Sequence, residues 1–274
     1  MPTIKAHPPH LEWLVDTKKR LKTADGKRVE VWELRHKKRP AVLSAWAKHF
    51  RNHYCADEQI DALRKGTNLS RSEYLTKLNF PDPAVKPGPS IRSGDFGEVL
   101  IADYVEFVLG YWVPRTRYDH KATRNESTKG SDILGFKLVK EGKIDRRDAL
   151  AIFEVKAALS DNSVARLQDA IDHSSKDEIR KAESLNALKQ RFIDQKQELQ
   201  VQTVERFQNS EDRPYAETYG AVAVACCPAV TKAEVQMVDA SAHPRAANLV
   251  LLVIHGLKMM DLVNELYGRA ADEA

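Results

Sequence analysis

The sequence predicts an α/β fold: a central mixed β-sheet flanked by helices, with a small α+β lobe in front of it. Three observations carry that prediction. Apolar runs of strand length recur at 149–157, 220–226 and 248–254, and they are apolar on both faces, as buried strands are. Helical segments whose apolar residues return every three or four positions lie ahead of them, at 42–54, and between the first two, at 179–199. Strands mixed with helices in this way form layers in which the helices cover both sheet faces.

In chain order, Leu11-Glu12-Trp13-Leu14-Val15 and Arg28-Val29-Glu30-Val31-Trp32-Glu33-Leu34 alternate like strands. Ala24-Asp25-Gly26-Lys27 between them supplies the Asp-Gly turn of a hairpin. Pro40 opens a helix through Val42, Leu43, Trp46, Phe50 and Tyr54. Two short helices are expected near 58–65 and 71–78, the second behind the capping box Ser70-Arg71-Ser72-Glu73. The proline-rich segment 81–93 reads as a connector, dividing a lobe at 1–80 from a domain at 94–274.

From Gly94 to Leu109 the chain is apolar almost all round, the pattern of a buried helix. Asp95, Asp103 and Glu106 cluster on one side and are expected to face water, whereas Glu98 falls off that cluster. Gly110 ends the helix, and Trp112 to Tyr118 reads as a strand. A polar loop, 119–130, leads to two limbs, Gly130 to Phe136 and Ala149 to Ala157, joined by a turn at 141–147 that makes them antiparallel. Ser160 to Ser163 reads as a loop and N-cap for a helix through Val164, Leu167 and Ile171. Ser175-Lys176-Asp177-Glu178 reads as a capping box for a helix reaching Leu199, and a last helix is expected at 257–268.

Composition bounds the function. Charged residues make up 30% and apolar ones 42%, ordinary for a globular chain, and no apolar run reaches the roughly 18–20 residues of a membrane span. The N-terminus has no apolar secretory core, so the cytoplasm is the expected compartment. The three cysteines, Cys55, Cys226 and Cys227, form no metal or disulfide pattern and read as buried small hydrophobes. Residues 1–80 hold 17 Lys and Arg against 9 Asp and Glu, while residues 81–274 hold 26 against 30. A basic front suits a polyanion, with Arg35-His36-Lys37-Lys38-Arg39 as its densest run. Trp13, Trp32 and Trp46 there read either as partner or DNA contacts or as a small core. No phosphate-binding glycine loop, Gly-x-Ser-x-Gly elbow or His-Glu-x-x-His helix is present, and the histidines are scattered.

The second limb holds an anomaly. Leu150, Ile152, Phe153 and Val155 mark an interior strand, yet Glu154 and Lys156 interrupt it two residues apart, and so on one face. Burying such charges costs several kcal/mol, roughly, unless each has a partner. Asp132 on the neighbouring limb supplies one. Two carboxylates from adjacent strands suit Mg²⁺, with Mn²⁺ as its substitute, because such ions prefer oxygen and bridge to phosphate. A lysine on the same face orients water or meets developing charge. Glu98, from the preceding helix, completes the acidic group. Gln168 reads as helix surface.

Asp132 followed by Glu154-Val155-Lys156, with Gly97-Glu98 upstream, resembles the core of the PD-(D/E)XK nuclease superfamily. Ser131 stands where that pattern has proline. The resemblance implies a restriction-endonuclease-like core acting on DNA, with Glu98, Asp132 and Glu154 as metal ligands and Lys156 as the catalytic lysine. Gly94-Asp95-Phe96-Gly97-Glu98, Gly130-Ser131-Asp132 and Phe153-Glu154-Val155-Lys156, behind a basic front, look more narrowly like the HamA family of Hachiman antiphage defence and its AbpA relatives. That likeness implies a nuclease effector held by a HamB-like helicase subunit and released on infection. The other reading is a nucleic-acid-binding or scaffold module that keeps the fold without catalysis.

Overall fold

A computed structural model describes residues 7–119, 121–160 and 166–274. A helical turn (Pro9–Trp13) leads into β1 (Leu14–Lys22), which pairs antiparallel with β2 (Arg28–Leu34). Three helices follow, α1 (Pro40–Arg51), α2 (Ile60–Arg64) and α3 (Arg71–Tyr74). Next come α4 (Gly88–Asp103), continued by a wider turn (Tyr104–Val108), then β3 (Ile133–Lys137) and β4 (Ala149–Ala158). After α5 (Arg166–Ser174), α6 (Asp177–Asp194) and α7 (Glu198–Gln208) come β5 (Ala216–Cys226), α8 (Lys232–Gln236), β6 (Leu249–Gly256) and α9 (Met259–Asp272). The sheet order is β1-β2-β6-β5-β4-β3. The outer pairs β1/β2 and β3/β4 are antiparallel, and the four inner strands are parallel, giving the mixed sheet the sequence predicts. No helix among the described residues is long and apolar enough to cross a membrane.

Alternation along each inner strand divides the core in two. Ala151, Phe153 and Val155 of β4 face a cluster that includes Trp46, Phe50, Phe96, Leu100 and Leu266, from α1, α4 and α9. Leu150 and Ile152 face the opposite cluster, with Leu167, Leu188, Phe207 and Val235 from α5 to α8. Glu154 and Lys156 continue that second face at the C-terminal end of β4, the end at which parallel sheets present their ligand sites. The first 80 residues share this architecture: β2 adds to β6, and Leu11, Trp13, Leu34 and Trp46 lie in the same core as Phe96 and Tyr267. Trp13 and Trp46 are therefore core residues, and Trp32 packs edge-on to Tyr104 at 5.2 Å. Lys37, Lys38 and Arg39 are exposed.

Two glycines set strand and helix spacing. A Cβ at Gly97 would come within 3.0 Å of the Cβ of Ala157, so glycine lets α4 lie on β4 beside the site. Gly220 sits opposite Phe153 in register, and a Cβ there would fall 2.2 Å from the ring. Gly220→Ala is expected to destabilise the protein by about 1–3 kcal/mol through overpacking, seen as a lower midpoint in urea. An unchanged midpoint would mean that Phe153 has room to turn away.

Several expectations are corrected. The first strand begins at Leu14, because Pro9–Trp13 forms a helical turn. Gly88-Pro89 starts α4 six residues earlier than expected; proline is acceptable in a first helical turn, where its missing N–H has no partner to lose. Trp112 to Tyr118 is not a strand: one bridge, Trp112 to Phe136, forms, while Arg115 turns inward to buried Asp103 and Arg117 to half-buried Glu98. Asp95 and Asp103 do not face water but are buried. Asp95 accepts from the Tyr54 hydroxyl at 2.5 Å and from Lys121 Nζ at 2.6 Å.

The Ser70 capping box forms, but that of Ser175 does not: Ser175 donates to the Asp172 carbonyl, and no side chain caps α6. The long helix breaks at Lys196, whose φ of 56° is left-handed, and Ile179 and Leu199 are exposed. The expected cap at 160–163 and Val164 fall at residues outside those described, apart from Ser160.

Candidate metal-dependent site

Glu98, Asp132, Glu154 and Lys156, separated by up to 58 positions in the chain, line one cavity of about 600 Å³. Asp132 directly precedes β3, and its Oδ2 accepts from the Val155 N–H at 2.9 Å, which fixes the carboxylate between Glu154 and Lys156. Lys156 Nζ lies 2.5 Å from Glu154 Oε1, and His173 Nδ1 lies 3.4 Å from the same oxygen. Glu154 is 2% exposed, and its Oε2 has no partner among the described residues. Glu98 projects from α4 beside Gly97, reaching the cavity from the opposite side of the sheet end.

Arg117 ties the acids together. Its guanidinium donates to Glu98 Oε2 at 2.6 Å, Asp132 Oδ1 at 2.7 Å and the Ser131 carbonyl at 2.7 Å. The Tyr118 hydroxyl donates to Glu98 Oε2 at 2.6 Å. Such charge-assisted contacts, one guanidinium N–H to each carboxylate, orient both acids. Arg117 lines a second cavity of about 240 Å³ behind Glu98 and Asp132, not the cavity that holds Lys156, so it buttresses the acids from the rear.

The electrostatics follow from burial. Loss of water pushes Glu154 up to about 7, with the Asp132 charge adding to it. Burial likewise pushes Glu98 up to about 8 despite Arg117, and Asp177 up to about 6. A carboxyl whose pKa folding raises gives stability that is fully present below its unfolded value, 4.5 for glutamate, and is lost as pH rises through its folded value. Buried His10, lowered by burial, works in the opposite sense, so the effect is best isolated as a difference. In the absence of divalent ions, the Tm of Glu154→Gln minus that of wild type is expected to increase from pH 5 to pH 8. A difference constant across that range would contradict the assignment.

The donor set is all oxygen, and a buried carboxylate oxygen is left over, which fits a hard divalent ion and no thiol-seeking one. Other residues around the cavity were not legible as site residues. Arg180, with Lys129 and Arg166, gives the acidic floor a cationic wall, and His173, whose pKa burial lowers, lines the same cavity. No local motif marks them; only the fold brings α5 and α6 over the end of β4. Gln168 does stay at the surface, bonded to Asp172 and to the backbone of Asp239.

The histidines, scattered in sequence, meet elsewhere. His49, His53 and Asp103 come close enough to share an ion. Arg115 already supplies the positive charge there, donating to Asp103 Oδ1 at 2.8 Å and lying 3.3 Å from His53 Nε2, while His10 meets Asp103 Oδ2 at 3.0 Å. With burial opposing them, His49 and Arg115 still hold Asp103 well below the carboxylate range. This cluster joins the front of the chain to α1 and α4.

No curated protein matches the chain. A family profile does: that of HamA covers residues 8–270, from ahead of β1 into α9, so it takes in the basic front as well as the acidic cavity. The chain therefore belongs to the HamA family, the effectors of Hachiman defence.

Proposed function

We propose that the chain is a metal-dependent DNA nuclease, held inactive by a helicase subunit and released on infection to degrade DNA. The observation that carries the reading is the convergence of Asp132, Glu154 and Lys156 on one cavity, with a buried Glu154 oxygen that has no partner among the described residues. Asp132, Glu154 and Glu98 would hold Mg²⁺, or Mn²⁺ in its place. When bound, such an ion polarises the scissile phosphate and lowers the pKa of its water.

The chain's own residues do the rest. Lys156, half-buried and beside Glu154, offsets the acids before cation binding, then orients the attacking water or meets charge on the phosphate. Arg117 and Tyr118 keep Glu98 and Asp132 from turning away. Lys129, Arg166 and Arg180 at the cavity edge suit a polyanionic backbone, whose binding should weaken with salt. Membership of a defence system that works with a partner supports external control.

The test is direct. The purified protein is incubated with plasmid and linear DNA, with and without its helicase partner, in Mg²⁺ or EDTA. Mg²⁺-dependent cleavage in at least one arm is expected. Salt-sensitive DNA binding with no product in any arm would favour the non-catalytic module instead.

A further inference from the structure

We propose that Asp177 is a fourth acidic group of the cation site, whose charge, fixed behind Asp132 and Glu154, raises the affinity for an ion of the Mg²⁺ class. The inference rests on reading the cavity as a cation centre. Asp177 opens α6 and is wholly buried. Its Oδ1 accepts from Ser131 Oγ at 3.0 Å, and the Ser131 N–H donates to Ser184 Oγ, two turns further along α6, at 3.0 Å. Helix α6 thus grips the residue that immediately precedes Asp132. Serine in place of proline at 131 supplies both donors.

The other buried acids show how unusual Asp177 is. Asp148, equally buried, accepts from Val139 N–H through Oδ1 and from Arg206 and the Asp145 N–H through Oδ2. Asp103 meets His10 through one oxygen and His49 and Arg115 through the other. Both of these acids use both carboxylate oxygens. Among the buried acids of the described residues, only Glu154 and Asp177 leave a buried oxygen without a partner. Glu154 lines the cavity, and Asp177 holds Ser131, the residue before Asp132. A buried carboxylate with an unused oxygen weakens a fold unless something positive comes to it. A cation held at Asp132 and Glu154 would bring positive charge toward both acids.

Isothermal titration with Mn²⁺, on the full chain of wild type, Asp177→Asn, Ser131→Ala and Asp132→Asn, tests this beside metal-free thermal melts. Asp177→Asn is expected to weaken Mn²⁺ binding about tenfold or more, the scale of groups that support metal ligands. Its metal-free Tm should match or exceed that of wild type, because an amide replaces an under-bonded buried charge. Ser131→Ala keeps the carboxylate and should lose clearly less affinity than Asp177→Asn. The proposal is overturned if Asp177→Asn binds Mn²⁺ like wild type. It is equally overturned if Ser131→Ala loses as much affinity, since Asp177 would then only anchor residue 131. Should Asp177→Asn melt well below wild type, Asp177 is a structural acid and the proposal also falls. Loss of binding in Asp132→Asn with none in Asp177→Asn leaves the cation centre standing alone; no Mn²⁺ binding by wild type removes both.

Discussion

Glu154→Gln and Lys156→Ala should each reduce DNA cleavage about a thousandfold or more while leaving the fold intact. Glu154 offers the cavity a buried oxygen with no partner among the described residues, so the amide removes both charge and a donor suited to a hard ion. Lys156 is the cation closest to it, and alanine leaves nothing on that strand face to orient water or meet phosphate charge. Neither change should unfold the protein. Gln keeps the shape of Glu154 and relieves a charge that burial already disfavours, and Lys156 is a quarter exposed. Initial rates of plasmid linearisation, in whichever arm cleaves, with circular dichroism alongside, give the answer. Variants that cut like wild type would move the site elsewhere.

Arg117→Ala is expected to cost about 3–5 kcal/mol of stability, the penalty for removing one partner of a buried ion pair. Its guanidinium is 16% exposed and holds Glu98 and Asp132 at once, so alanine leaves two largely covered carboxylates without their shared cation. Arg117→Lys should recover only part, because an ammonium lacks the planar fork that spans both acids and the Ser131 carbonyl. Urea unfolding of the three proteins checks this. A loss under about 1 kcal/mol for alanine would mean that the acids are held by other groups.

Much of the fold was legible because local patterns and burial agree. The bounds of β2, the Asp-Gly turn before it and the antiparallel β3/β4 pair all follow from alternation and turn residues. The site's core was legible for the opposite reason: Glu154 and Lys156 break the pattern of an interior strand, and a break in a buried pattern needs a cause. The errors fell where charges are satisfied at long range. A helical wheel assigns Asp95 and Asp103 to water because it cannot see Lys121 or Arg115 arriving from a later segment. Residues 112–118 read as a strand because alternation looks the same whether the polar side chains point to solvent or to buried acids.

The sequence by itself determined the α/β class, the strand carrying Glu154 and Lys156, and the identity of the acids that meet there, since these rest on periodicity and on residue types within short windows. Only the tertiary structure decided which cations hold those acids, that α5 and α6 bring His173 and Arg180 to the end of β4 and Asp177 to Ser131, and that the front strands complete one sheet with the rest. The physical reason is range. Hydrophobic periodicity is written between neighbours three or four positions apart, whereas the pairing of a buried charge is settled by whichever group the folded chain brings near it.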